Sequence, residues 1–384
     1  VSIKNIRIAR VSTVPFFVIT QLSAQLKELH DAGASVSVVA SNDEQSSNLK
    51  ALAEVRFLPV DISREINLAK DLLSLFRLIV LFRREKFDIV HSTTPKAGLL
   101  CAIAGWVART PVRLHTYTGQ PWVTMTGLKR RILKACDTLT SYLNTHNYTD
   151  SKSQRDFLVG SGVIRSEKLS VIGEGSLAGV DTKRFSIGRY TDAERLVIRN
   201  ELAIPPEANV LLFVGRVTPE KGIHELLGAF EKVLQSVANT YLLIVGPLED
   251  ERLSGVLKTS KSRAFIRIVG FSNEPEKYMA VSDLLCLPSY REGFGTVVIE
   301  AAAMGIPTVG SDIYGLSDAI VDGETGLLVP VMDEERLAQA VISLLNDKAR
   351  LGVMSVQAKQ RAQAQFDSLV CSKLLIQKYE SFLK

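Results

Sequence analysis

The sequence predicts two tandem α/β domains, each built on a doubly wound parallel sheet. Three observations lead there. Short apolar runs of strand length alternate with helix-period segments along most of the chain. The alternation breaks once, near the middle, in a looser stretch, and then restarts. The length, 384 residues, is also more than one hydrophobic core usually spans. Strands that alternate with helices pair in parallel and carry helices on both faces.

In the first half, "IRIARVS" (6–12) reads as a strand and is followed by a helical pattern to about Asp31. "SVSVVAS" (35–41) and "VRFLPV" (55–60) are the next strands. A helix over 66–86 leads to the buried strand "FDIVHS" (87–92), and "VRLHTYT" (112–118) and "LSVIGEG" (169–175) continue the series. From about Gly179 to Ala208 the chain loosens and ends in Pro205-Pro206, a composition expected of a linker. The second series is "NVLLFVG" (209–215), "TYLLIVG" (240–246), "FIRIVG" (265–270), "DLLCLPS" (283–289), "PTVGSD" (307–312) and "TGLLVP" (325–330), followed by a helical tail over 333–384. The expected division is 1–185, 186–365 and a final helix 366–384 that packs back toward the first domain. Open parallel sheets bind ligands beyond the carboxyl ends of their strands, so two such edges facing each other would form a cleft.

Charge is unevenly placed. Residues 1–185 carry 25 Lys+Arg against 16 Asp+Glu, whereas residues 186–384 carry 21 against 25. The basic first half suits an anionic contact, and with no nucleic-acid motif present the candidates are a phosphorylated substrate or an anionic membrane surface. Cys101, Cys136, Cys286 and Cys371 are scattered without a CxxC pair, which argues against a zinc or disulfide framework and for a reducing compartment. The N-terminus reads as a strand, not as a signal peptide, and no uncharged apolar run reaches the ~18 residues of a spanning helix.

Two motifs carry chemistry. "GRVTPEKGIHELLGAF" follows the strand that ends at Gly215: Arg216 and Lys221 stand at its carboxyl end and a helix begins near Gly222. Two cations there suit a diphosphate, the arginine gripping oxygens with two donors and the lysine acting as a point charge. "SYREGFGTVVIEAAAMGIP" (289–307) repeats the layout. Gly293 and Gly295 let backbone approach a ligand. The amides of Phe294, Gly295 and Thr296 lie at a helix N-terminus, a natural anion site. Glu292 lies in the loop and Glu300 eight positions later on the helix. A glycosidase acid–base pair sits ~5–9.5 Å apart across one bond, whereas eight helical residues rise ~12 Å. The two carboxylates are therefore expected to touch different parts of one elongated ligand.

On these residues the sequence resembles the family 4 retaining glycosyltransferases, with two Rossmann-like domains facing across a cleft, the GT-B fold. "EGFGTVVIE" matches the family's E-x7-E element, and "GIPTVGSD", "DGETGLLV" and "FVGRVTPEKG" match its neighbours. "DIVHSTTPKAGLL", "HTYTGQPW", "DSKSQRDFLVGSGVI" and "GEGSLAGVD" resemble members that build bacterial cell-surface polysaccharides on lipid-linked acceptors. The resemblance implies that Glu292 meets the hydroxyls of a donor sugar and Glu300 the ribose. Arg216 and Lys221 would neutralise the leaving diphosphate, Phe294–Thr296 would hold its distal phosphate, and Gly270-Phe271 would lie by the base, a UDP before a GDP. It implies a hexosyltransferase without cofactor or metal, in keeping with the lack of an Asp-x-Asp motif.

The acceptor side departs from the family pattern. The first loop has Ser12 and Thr13 where many relatives have a glycine pair, and Thr118-Gly119, followed by Gln120, stands where many have a histidine before glycine. His115 is too early to supply that histidine and is expected to pack. Lys96 in "TTPKAG" is a candidate for an acceptor phosphate. Helix 66–86, apolar with a basic end, is expected to pack on the sheet. Lys129, Arg130, Arg131 and Lys134, beside Trp122, Met125 and Leu128, suit peripheral attachment to the inner face of the cytoplasmic membrane. The expected acceptor is a glycan, polyprenyl-diphosphate-linked. Two other readings share this fold: a non-catalytic nucleotide-sugar-binding protein and a sugar-nucleotide epimerase.

Overall fold

The computed structural model describes residues 2–44, 46–50, 55–63 and 66–383. The chain forms two compact units: one runs to Gly179 and includes the segment from Ser368 onward, and the other is Val180–Asp367. The first unit's sheet is formed by β1 (Arg7–Val11), β2 (Ser35–Ala40), β3 (Arg56–Pro59), β4 (Ile89–Thr93), β5 (Val112–Tyr117), β6 (His146–Thr149) and β7 (Leu169–Val171), in the order β3-β2-β1-β4-β5-β6-β7. The second unit's sheet is formed by β8 (Asn209–Val214), β9 (Thr240–Val245), β10 (Ile266–Gly270), β11 (Leu284–Leu287), β12 (Thr308–Ser311) and β13 (Gly326–Val329), in the order β10-β9-β8-β11-β12-β13. Every pairing is parallel. Both sheets are α/β Rossmann-like. In each, strand order reverses once, between β1 and β4 and between β8 and β11, and a crevice opens at the carboxyl end of such a switch point.

The sheets form where the sequence places continuous apolar runs, because a strand covered by helices on both faces buries every side chain. Val210, Leu211, Leu212 and Phe213 of β8 and Leu284–Leu287 of β11 are all buried. β6 escaped the sequence reading because it is the polar run His-Asn-Tyr-Thr. Its Asn147 is fully buried yet satisfied, accepting from Asn144 Nδ2 at 3.0 Å and donating to the carbonyls of Ser141 and Lys168. The stretch expected as a linker carries the helix Asp192–Glu201, closed by a Thr191–Glu194 capping box, and its Val180, Phe185 and Ile198 enter the second unit's core.

The final helix, Ser368–Phe382, packs against helix Ser23–Asp31 within the first unit. It contributes the buried Leu375 and Tyr379 to that unit's core. Helix Leu68–Glu85 is capped by Asn67, which accepts from Lys70 N at 3.1 Å. Ser74, Leu78, Leu81 and Phe82 form its buried stripe. The opposite face, Leu68, Leu72, Phe76 and Val80, is exposed. The expectation that this helix packs on the sheet therefore accounts for only one of its two apolar faces.

Candidate functional site

The second sheet's switch point gathers most of the predicted donor-side residues. After β8 the chain passes Gly215 and Arg216, makes a 3-10 turn over Pro219–Lys221, and enters helix Ile223–Ser236 through Gly222. Gly222 has φ 70°, and a Cβ there would lie 2.0 Å from the carbonyl oxygen of Pro288. Only glycine lets this turn lie against the end of β11. The loop after β11 is then fastened to the turn. Tyr290 N–H donates to the Glu220 carbonyl at 2.9 Å, Tyr290 O–H to Glu225 Oε1 at 2.6 Å, and Arg291 Nη2 to Glu220 Oε2 at 3.1 Å.

Lys221 and Glu292 form an ion pair here, both side chains mostly buried. Sequence reasoning assigned them separate tasks; the structure brings them together. Phe294 is buried against Phe366, ring centroids 5.2 Å apart, and so anchors the glycine loop to the core. Gly295 (φ 83°) opens helix Thr296–Ala303. Neither Gly222 nor Gly295 supplies a capping side chain, so two helix N-termini converge on this crevice without one. Such amides, with the helix dipole, favour an anion. Arg216 lies at the same edge, more exposed, and donates to Glu249 Oε2 at 2.9 Å.

Glu300 faces a different set of charges. Burial pushes its carboxyl up to about 7; the Arg184 guanidinium opposes that shift and Glu276 adds to it. Glu292 is thus paired with Lys221, whereas Glu300 makes no ion pair with Arg184, whose carboxylate partner is Glu276. Arg184 and Glu276 were missed: Arg184 falls in the stretch read as a linker, and Glu276 in the short helix Pro275–Met279. Gly270, with φ 80°, ends β10, and Phe271 beyond it is exposed.

In the first unit the predicted acceptor-side residues gather around the other switch point. Ser12 is buried beyond β1, and Thr13 donates from both its N–H (3.3 Å) and its hydroxyl (3.1 Å) to Thr94 Oγ1 beyond β4. Lys96 Nζ donates to Asp71 Oδ1 at 2.8 Å, so its charge is matched inside the fold. Thr118, Gly119 and Gln120 follow β5: Thr118 is half-buried, Gly119 has φ 112°, and Gln120 is buried and accepts from Gln154 Nε2 at 3.2 Å. His115 is packed, as expected, its ring edge-on to Tyr117; burial pulls its pKa down to about 3.

Below this crevice sequence reasoning overlooked a fully buried arginine. Arg10 Nη1 donates to His91 Nδ1 and to Tyr379 Oη, each at 2.8 Å, and His91 Nε2 lies 2.7 Å from Thr116 Oγ1. Burial and Arg10 hold His91 well below its usual range, so it stays neutral and accepts at Nδ1. Its sequence signal is the arginine inside the apolar run of β1.

The membrane expectation needs one correction. Trp122 does lie beside the basic residues, with Arg130 and Lys134 each 5.9 Å from its ring centroid, but beneath the surface and not on it: it is 1% exposed, donates to Asp137 Oδ2 at 2.6 Å and stacks on Phe157. Lys129, Arg130 and Arg131 are exposed on helix Gly127–Leu143, together with Leu128 and Ile132. Helix Pro95–Val107 packs against both this helix and Leu68–Glu85. No helix of the described residues is long and apolar enough to cross a membrane, and among them no three His, Cys, Asp or Glu side chains are grouped to hold a metal ion.

Known proteins resemble the chain over nearly its whole length. Residues 18–175 match the family model of the glycosyl transferase 4-like domain, and residues 194–363 that of glycosyl transferases group 1. The capsular polysaccharide biosynthesis glycosyltransferase CapM of Staphylococcus aureus is 29% identical, covering 99% of this chain and 98% of CapM. An Escherichia coli UDP-Gal:alpha-D-GlcNAc-diphosphoundecaprenol alpha-1,3-galactosyltransferase is 26% identical over 79% of this chain and 78% of that protein. Among solved structures, Anabaena HepE in complex with UDP and glucose superposes with a TM-score of 0.82 at 18% identity, covering 98% of this chain and all of that one. WaaG, a glycosyltransferase involved in lipopolysaccharide biosynthesis, gives 0.74 at 16%, over 95% and 98% of the two chains.

Proposed function

The chain belongs to the family 4 glycosyltransferases of the GT-B fold, and from that premise we propose that it moves a sugar from a UDP-sugar to a polyprenyl-diphosphate-linked glycan in bacterial cell-surface polysaccharide assembly. One observation carries this reading. The Lys221–Glu292 pair stands at the switch point between β8 and β11, where two helix N-termini converge. Glu300, on the same helix, faces other charges. The UDP complex of HepE and the lipid-diphosphate acceptor in the name of the E. coli relative support the choice of donor and acceptor.

The chemistry follows from where charge develops. The bond from the sugar's anomeric carbon to the diphosphate oxygen breaks and leaves negative charge on the diphosphate. Lys221, Arg216 and the amides of Phe294–Thr296 stabilise that charge most as it grows, which lowers the barrier instead of merely tightening the ground state. Protein cations do the work a metal would otherwise do. The acceptor hydroxyl attacks the anomeric carbon on the face the diphosphate leaves, and its proton passes to the departing phosphate oxygen. Configuration is retained without a protein nucleophile. Glu292 takes the sugar hydroxyls, Glu300 the ribose, and Gly270-Phe271 flanks the base. The acceptor binds the first unit by Ser12, Thr13 and Thr118–Gln120, with Lys96 near its phosphate. The unit attaches peripherally to the inner face of the cytoplasmic membrane.

Incubation with labelled UDP-sugars, lipid-linked acceptor and a metal chelator tests the reading. The expected product is a lipid-linked glycan with the donor's anomeric configuration. An isomerised donor, or bound nucleotide sugar that never turns over, would replace it with the epimerase or binding-protein reading.

A further inference from the structure

An ion pair that no motif assigns, Arg184–Glu276, lies beside the expected nucleoside end of the proposed site. Arg184 lies in the second unit, in the stretch between Val180 and helix Asp192–Glu201. Its guanidinium makes a two-donor grip on Glu276, Nε to Oε1 at 2.8 Å and Nη2 to Oε2 at 2.9 Å. Nη2 also donates to the Asn273 carbonyl. Those partners belong to the turn and short helix that follow Gly270-Phe271, the expected flank of the base.

The same guanidinium acts electrostatically on Glu300. Glu276, buried under helix Thr296–Ala303, is the other charge that acts on Glu300, and Arg189 approaches Glu276 at 3.8 Å. Arg361, from helix Lys348–Gln365 on another side of that helix, is turned to the carbonyls of Asp318 and Ala319. Arg184 is therefore the cation whose charge acts on Glu300, without an ion pair between them, and it is fixed in place by the base-flanking turn.

We propose that Arg184 is a positioning residue for the nucleotide: its guanidinium fixes the turn at Asn273–Glu276, beside the base, whose short helix packs on the helix that carries the ribose-binding Glu300, so that base and ribose contacts are held in register. Two-donor contacts with a carboxylate fix orientation as well as charge. A lysine at this position keeps the charge but loses the fork. The inference rests on the donor-site reading of Glu300.

UDP binding to the full chain, measured by calorimetry from pH 5.5 to 8.5, tests it, with thermal unfolding checked for every variant. Wild-type affinity should rise as pH passes about 7 and Glu300 ionises. Arg184→Ala should weaken UDP about tenfold, roughly 1.4 kcal/mol, and move that rise to higher pH. Arg184→Lys should leave the rise near its wild-type position and recover part of the affinity. Glu276→Gln should move the rise to lower pH, because it removes the negative charge that disfavours ionisation. UDP binding that depends on Glu300 (lost in Glu300→Gln) but is unchanged in affinity and pH profile by Arg184→Ala overturns this inference alone. A wild-type chain that binds no UDP, with Glu300→Gln indistinguishable from it, takes down the donor-site reading and this inference together.

Discussion

The ammonium of Lys221 is paired with the carboxylate of Glu292. On the proposed assignment a diphosphate must compete for that ammonium while the sugar hydroxyls take over the carboxylate. The pair is then a device that keeps both groups oriented in a mostly buried crevice, where an unpaired charge is costly. Arg216 is more exposed, with Glu249 as its partner. Removing Arg216 should leave stability unchanged, whereas Lys221→Ala leaves Glu292 unpaired in the crevice and should cost some stability without unfolding the chain, because neither cation lies in the core. Lys221→Ala and Arg216→Ala should each lower kcat by about 10²–10³-fold, the usual loss for one preorganised donor to a developing oxyanion. Steady-state kinetics on variants that keep a cooperative unfolding transition would bear this out; normal turnover in both variants would remove the diphosphate role. The placing of these glycines and cations just beyond the ends of β8 and β11 was legible in the sequence, since each follows an apolar run that must be a buried strand. The Lys221–Glu292 pairing was not, because it joins residues 71 positions apart.

Among the elements, the strands were legible wherever burial on both faces imposes an apolar run, and illegible where a polar strand finds its partners inside. β6 shows the second case through Asn147. Helices were less transparent, since periodicity reports an apolar face but not what covers it. Trp122 next to a basic run looks like an interfacial anchor; in the structure its N–H has a buried carboxylate partner and its ring a stacking partner. Helix Leu68–Glu85 reads as core, and yet Phe76 is 63% exposed in a stripe with Leu68, Leu72 and Val80. Exposed apolar stripes beside cations suit an anionic lipid surface better than water. If the first unit attaches to membranes, two elements contribute, and they can be separated. Lys129→Glu with Arg130→Glu and Arg131→Glu should abolish binding to anionic vesicles. Leu72→Ser with Phe76→Ser should weaken it at every lipid charge, and Trp122→Ala should act through stability instead. Cosedimentation with vesicles of graded phosphatidylglycerol content measures all three. Wild-type binding by both surface variants would exclude these helices as the attachment.

At the scale of the whole molecule, each unit carries its own sheet and its own buried cores, and the chain leaves the first unit at Gly179 only to rejoin it at Ser368. The last helix is thus part of the N-terminal unit's stability, and a buried cation supplies the reason. Arg10 has no exposure, and its Nε and Nη2 have no hydrogen-bond partner among the described residues. Tyr379 Oη and His91 Nδ1 accept from its remaining Nη1 donor. Removing the tyrosine hydroxyl takes away one acceptor from a charge that water cannot reach, a loss of about 1–3 kcal/mol. Tyr379→Phe should therefore lower the unfolding temperature of the first unit by several degrees, and a chain ending at Asp367 should lower it further, since the apolar contacts of Leu375 are lost as well. Neither change touches the second unit's core, so UDP affinity should stay at the wild-type value. Calorimetric unfolding with and without saturating UDP distinguishes the two units, because a ligand raises only the transition of the unit that binds it. A single transition, shifted equally by the tyrosine change and by UDP, would mean that the units unfold as one, and the separate assignment of stability to each would fall.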